Sequence, residues 1–73
     1  MENYIRVSRA IKRITQQDLA DAMGVRVQTI NSIENGKNIP NLLLAMRIAL
    51  YFETPIEKMF FPTDEEKSFN LDE

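Results

Sequence analysis

Apolar residues recur along the chain at three- and four-residue intervals, the spacing of one helix face, and not at the two-residue alternation of strands. The breaks between segments carry helix start and stop chemistry. A first helix is predicted over residues 5–12, burying Ile5 and Ile11 and exposing Arg6 and Lys12. Thr15 follows as an N-cap with Asp18 in the acidic first turn of a second helix, whose inner face is Leu19, Ala20 and Met23. Gly24 ends it, because a helix terminus often needs a left-handed residue and glycine supplies one cheaply. A third helix over residues 27–35 turns Ile30 and Ile33 inward and closes at Gly36. Residues 37–40 read as a loop, since Pro40 disfavours helical geometry at Ile39.

Asn41 is placed to cap a fourth helix over residues 42–52, apolar nearly all round through Leu42, Leu43, Ala45, Met46, Ile48, Ala49, Leu50 and Phe52. That is the pattern of a buried or an interface helix. Thr54 followed by Pro55 reads as a cap and a first helical position for a short fifth helix through Ile56 and Met59, ended by Phe60, Phe61 and Pro62. Residues 62–73 are acidic and polar and are expected to be a disordered tail, with Phe69 and Leu71 as its apolar members. The expected fold is therefore all-α, with one domain over residues 1–61.

Seventy-three residues, 44% hydrophobic and 27% charged, make one small soluble-type domain and exclude a multidomain enzyme. With no Cys and no His, disulfides, zinc-finger spacings and Cys or His catalysis are excluded, and oligomerisation remains as added support for a small core. The longest apolar run, residues 42–46, is stopped by Arg47, far short of the ~18 residues of a membrane span. No basic flank and apolar stretch opens the chain, so a cytoplasmic location is expected. The net charge of −2 is unevenly placed. Residues 1–52 hold seven Lys or Arg against four Asp or Glu, a net of +3, whereas residues 61–73 hold one against five, a net of −4. The body is mildly basic and the tail acidic.

Two short helices joined by a glycine turn form a helix-turn-helix arrangement over residues 16–35. Counted from Gln16, Ala20 falls where the helices touch and little volume is allowed, Gly24 makes the turn, and Leu19, Met23, Val25, Ile30 and Ile33 supply the packing. Through T-Q-Q-D-L-A-D-A-M-G-V at residues 15–25, I-N-S-I-E-N-G at residues 30–36, Pro40 and A-M-R-I-A at residues 45–49, the chain resembles the Cro/C1-type (XRE-like) regulators with a lambda-repressor-like fold. The stretch Y-F-E-T-P-I-E-K-M-F at residues 51–60 is similar to the small stand-alone members of the cytolysin-repressor type. The resemblance implies five helices, a homodimer, sequence-specific binding of double-stranded DNA and repression of transcription. It also implies, for some small members, a two-stranded sheet between the N-terminus and residues 60–63.

A recognition helix lies in the major groove with its outward N-terminal residues at base edges. Here those are Arg26, Val27, Gln28, Asn31 and Ser32. Gln28 has the amide that pairs with adenine, Val27 a methyl surface for thymine, and Arg26 reaches guanine or a phosphate. By correspondence with the family, Gln16, Thr29 and Asn35 contact the phosphate backbone, with Lys37 near it. Arg13 stands where the family often has Gly, implying a phosphate contact or a longer first helix. Glu34 would repel phosphates and is better turned inward; in the family the residues matching Arg9 and Glu34 form a structural ion pair. Arg26 replaces the usual Ser or Thr cap, and Ser8 replaces a larger apolar residue.

The apolar surplus calls for a dimer interface, assigned to Leu44, Leu50, Met59, Phe60 and Phe61. A second reading is a protein-interaction module, such as an antitoxin, whose acidic tail binds a basic partner or folds back on the DNA-binding face. An enzyme is disfavoured: no base is placed to activate a Ser, Thr or Lys, and there is no Gly-rich phosphate loop. No cofactor or metal is expected, since Asp64, Glu65 and Glu66 read as a solvated charge run.

Overall fold

A computed structural model describes residues 1–68. In chain order the elements are β1 (Glu2–Asn3), α1 (Ile5–Lys12), α2 (Gln16–Met23), α3 (Val27–Glu34), α4 (Leu42–Tyr51), α5 (Ile56–Met59), β2 (Phe60–Phe61) and α6 (Asp64–Lys67). β1 and β2 pair antiparallel, Glu2 opposite Phe61 and Asn3 opposite Phe60, which closes the N-terminus onto the end of α5. The Tyr4 and Phe61 rings meet edge to face at 5.1 Å beside this pairing. Among the described residues no helix is long and apolar enough to cross a membrane.

The core collects Ile5 from α1, Leu19, Ala20 and Met23 from α2, Ile30 and Ile33 from α3, Leu44, Ala45, Ile48 and Ala49 from α4, and Met59 and Phe60 from the closing segment. Each large side chain wholly removed from water contributes about 1.5–3 kcal/mol. Ile5, Leu19, Ile30, Ile48 and Met59 are so placed. They come from five different helices, so burial itself couples the elements.

The helix starts follow local chemistry. Thr15 Oγ1 accepts from Asp18 N at 3.0 Å while Asp18 Oδ2 accepts from Thr15 N at 2.9 Å, a reciprocal capping box. Asn41 Oδ1 accepts from Leu44 N at 2.8 Å. Four helix ends share one device. A left-handed residue closes each, at Arg13, Gly24, Gly36 and Glu53. The next residue's N–H then reaches back to a carbonyl in the last turn: Ile14 to Arg9, Val25 to Ala20, Lys37 to Ser32 and Thr54 to Ala49. Two of these positions are glycines, but Arg13 (φ 59°) and Glu53 (φ 53°) carry side chains that disfavour the conformation.

Several expectations are corrected. Ile11 is 77% exposed, because the inward row of α1 runs from Ile5 to Arg9, one helical turn on, and Ile11 lies on another face. The first helix is not extended by Arg13, which ends it. α4 is not buried all round: Leu42, Leu43, Met46 and Leu50 face solvent. Thr54 does not cap α5; its hydroxyl donates to the Phe52 carbonyl at 3.1 Å, and the helix begins one residue later, after Pro55. Leu44, Met59 and Phe60, assigned to a dimer interface, are buried within the chain, whereas Leu50 is exposed and Phe61 half-buried. The acidic tail is not without structure, since Thr63 and Glu66 form a second capping box that starts α6. Glu66 also meets the N-terminal ammonium of Met1 at 3.0 Å. Phe69 and Leu71 lie outside the described residues. Ser8 lines an open groove of about 570 Å³ with Tyr4, Val7, Ile11 and Phe61, consistent with the looser packing expected there.

The left-handed Arg13 gives a direct test. Arg13→Gly relieves about 1–2 kcal/mol of backbone strain and loosens the unfolded chain by about 0.5–1 kcal/mol. Urea unfolding is expected to show the variant equal to or up to about 1.5 kcal/mol more stable than the parent.

Candidate nucleic-acid interface

α2 and α3 pack across Ala20, which has no exposed surface, and the left-handed Gly24 redirects the chain between them. α3 thereby presents one side to the core through Ile30 and Ile33 and the opposite side to solvent. On that solvent side Gln28 and Asn31 are exposed, with Arg26 exposed at the helix entrance. Arg26 holds the cap position without a side-chain cap bond, so the first N–H groups of α3 point outward without a side-chain cap. Val27 and Thr29 are half-buried, and Val27 packs partly on the core, so less of it faces outward than of Gln28. Ser32 is half-buried, and its carbonyl accepts from Lys37 N at 2.9 Å and Asn38 N at 3.2 Å. Lys37 is exposed on the turn after α3.

Gln16 opens α2 beside this face, and its Oε1 accepts from Asn31 Nδ2 at 3.3 Å. Asn31 Oδ1 in turn accepts from Asn35 Nδ2 at 3.2 Å. Three of the sequence candidates are thus brought into one polar string. Arg13 is exposed just ahead of α2, on the far side of its Thr15 cap from Gln16.

Beneath the string lies an ion pair. The Glu34 side chain has no exposed surface and that of Arg9 is 16% exposed. Arg9 Nε donates to Glu34 Oε2 at 2.7 Å, and Arg9 Nη2 to Oε1 at 3.0 Å, a bidentate arrangement. Arg9 Nη1 also donates to the Ile14 carbonyl at 3.1 Å, tying the ion pair to the turn before α2. Burial pushes the Glu34 carboxyl up, but hydrogen bonds from Arg9, Gln16 and Arg6 outweigh it and hold the group below its ordinary value. Glu34 correspondingly raises the Arg9 guanidinium, chiefly through the hydrogen bond.

Two contributors were not evident in the sequence. Arg6 donates through Nε to Glu34 Oε1 at 3.3 Å and through Nη2 to Asn35 Oδ1 at 3.0 Å. Asn3 donates to the Ile33 carbonyl at 2.9 Å and accepts from Ile5 N at 3.1 Å, joining β1, the start of α1 and the end of α3. For Arg6 a signal existed, since it lies three residues before Arg9 and so shares a helix face with it.

Comparison with known proteins agrees with this geometry. A family model described as helix-turn-helix matches residues 5–59. An uncharacterized HTH-type transcriptional regulator of Methanocaldococcus jannaschii is 46% identical over 66 residues, covering 90% of this chain and all of that protein. One from Archaeoglobus fulgidus is also 46% identical over 66 residues, covering 90% and 94% of the two chains. The uncharacterized HTH-type transcriptional regulator YgzD of Bacillus subtilis is 35% identical over 65 residues, covering 89% and 98%.

The ion pair sets a pH dependence. Glu34 is depressed below its ordinary value of 4.5, so the stability it confers is complete above that pH and is lost as pH falls through the lower folded value. Unfolding midpoints measured from pH 6 to pH 3 are expected to fall below about pH 4.5, and Glu34→Gln to flatten that fall. Arg9→Met leaves the buried carboxylate only the largely exposed Arg6 as cationic partner, an expected loss of about 3 kcal/mol at pH 7.

Proposed function

We propose that the chain, which belongs to the helix-turn-helix family of DNA-binding transcriptional regulators, is a cytoplasmic homodimeric repressor that reads an inverted-repeat operator with α3 in the major groove. Regulators of this family bind DNA and are not enzymes. The observation that carries the reading is the outward face of α3: Gln28 is exposed, and among the described residues its amide has no hydrogen-bond partner within the chain. A free amide on the first turn of a groove-entering helix has the donor and acceptor that adenine requires. Arg26 adds a guanine or phosphate contact, Ser32 and Asn31 further base contacts, and the exposed part of Val27 a surface for a thymine methyl. Gln16, Thr29, Asn35, Lys37 and Arg13 serve the phosphate backbone, which fixes register while base contacts supply specificity. Residues 1–61 form the DNA-binding unit, with residues 62–73 as its acidic appendage.

The dimer reading is supported by the uncovered side of α4. Leu42, Met46 and Leu50, spaced four apart, form one ridge, 70%, 46% and 74% exposed, with Leu43 beside it. Such a ridge packs into the groove of a second helix. Two copies joined this way would present two α3 helices to successive major grooves, with half-sites about 34 Å apart. Repression is the direct output of that occupancy, because bound protein excludes another from the same duplex.

Selection from a random duplex library at one stated salt concentration is expected to enrich an inverted repeat. Gln28→Ala should blur one symmetric position, losing about 1–3 kcal/mol of discrimination there. Enrichment of no sequence would remove this reading. For the interface, a Met46→Asp and Leu50→Asp double variant should sediment as a folded monomer at a concentration where the parent is a dimer; a parent that is monomeric throughout would discard the dimer.

A further inference from the structure

The amide side chains beside the recognition helix are joined head to tail, and the chemistry of the arginine end dictates the sense of the chain. Arg6 Nη2 donates to Asn35 Oδ1, Asn35 Nδ2 to Asn31 Oδ1, and Asn31 Nδ2 to Gln16 Oε1, at 3.0, 3.2 and 3.3 Å. A primary amide has an acceptor on one side and a donor on the other, so three amides alone could be flipped together and bond equally well. A guanidinium has no acceptor. Its neighbour Asn35 must therefore offer oxygen, which turns the Asn35 nitrogen towards Asn31, and the same logic passes to Gln16.

We propose that Arg6 is a positioning residue for DNA reading: by donating to Asn35 it fixes the flip of Asn31 and Gln16, neither of which it touches, before DNA arrives. The proposal rests on the DNA-reading role of α3 given above. Each amide in the string keeps at least one N–H unspent. At Gln16 and Asn35 that N–H meets a phosphate oxygen, an acceptor, without reorientation. At Asn31 the remaining N–H and the remaining oxygen lone pair stand in one fixed order, and bidentate pairing with adenine accepts only one order. Arg6 thus narrows the base preference at the position under Asn31 from a distance of two side chains, while being 68% exposed itself and adding little to the core.

The test has one arm on the free protein and one on the complex. Side-chain amide proton–nitrogen spectra are compared for the parent, Arg6→Met and Asn35→Ala. Both variants are expected to move the Asn31 and Gln16 signals. If Arg6→Met moves Gln16 and Asn35→Ala does not, the influence travels through Glu34 and the relay is overturned; if neither moves it, the relay is overturned outright. In the second arm, Arg6→Met is expected to weaken binding to the selected duplex about five-fold, relax the base preference under Asn31, and remove most of the further loss caused by Gln16→Ala. Losses that multiply independently, with the salt dependence reduced by about one ion and base preference unchanged, would make Arg6 a direct phosphate contact and overturn the proposal. A parent that selects no duplex defeats the DNA reading itself, and the spectra of the free protein then decide the relay separately.

Discussion

A carboxylate side chain with no exposed surface sits on α3, and the arrangement of the first three helices follows from how its charge is satisfied. Glu34 can stay ionised only with hydrogen-bonded cationic partners, because an unpaired buried charge costs several kcal/mol. Arg9 supplies two of the bonds, and the same guanidinium reaches the Ile14 carbonyl at the turn into α2. One side chain of α1 therefore constrains both helices of the helix-turn-helix. Asn3 adds a neutral version of the same link, satisfying the Ile33 carbonyl in the last turn of α3 from the N-terminal strand. A buried ion pair of this kind contributes little net stability compared with an apolar replacement. What it does is penalise every arrangement in which α1 and α3 are not in register, and that fixes the angle at which α3 can be presented.

The legible parts of this fold are those written in local chemistry. Thr15 with Asp18, Asn41 and the two glycines mark helix ends wherever they occur, because the capping bond or the left-handed turn involves residues a few positions apart. Arg13 and Glu53 form the same kind of helix end without a residue type that signals it; the backbone bonds from Ile14 to Arg9 and from Thr54 to Ala49 impose the geometry instead. Helical spacing alone points Ile11 inward, but the inward row of α1 is completed by a charged residue, Arg9, whose burial makes sense only once Glu34 is opposite it. In α4, periodicity could not say which apolar face is covered, since nearly every position is apolar. The outward set on α3, with Arg26 and Gln28, was readable from helical spacing alone. Arg6 and Asn3 were not, because their role depends on where α1 and β1 meet the end of α3, a contact between residues about thirty positions apart.

Two departures from good helix chemistry fall at the entrances to the two helices of the helix-turn-helix, and both introduce a cation. Arg13 occupies a left-handed position that glycine would fill with less strain, just ahead of the N-terminus of α2. Arg26 occupies the cap of α3, where a Ser or Thr would satisfy an N–H and where the helix dipole disfavours positive charge. Each departure costs about 1–2 kcal/mol in the free protein. Sequences tolerate such local conflicts chiefly where something outside the chain offsets them. Helix N-termini attract phosphate through their free N–H groups, and an arginine at the same place turns an unfavourable pairing with the dipole into a shared ligand. In the proposed complex both costs are offset by one partner, the duplex backbone, whose phosphates pair with the two cations that the departures introduce.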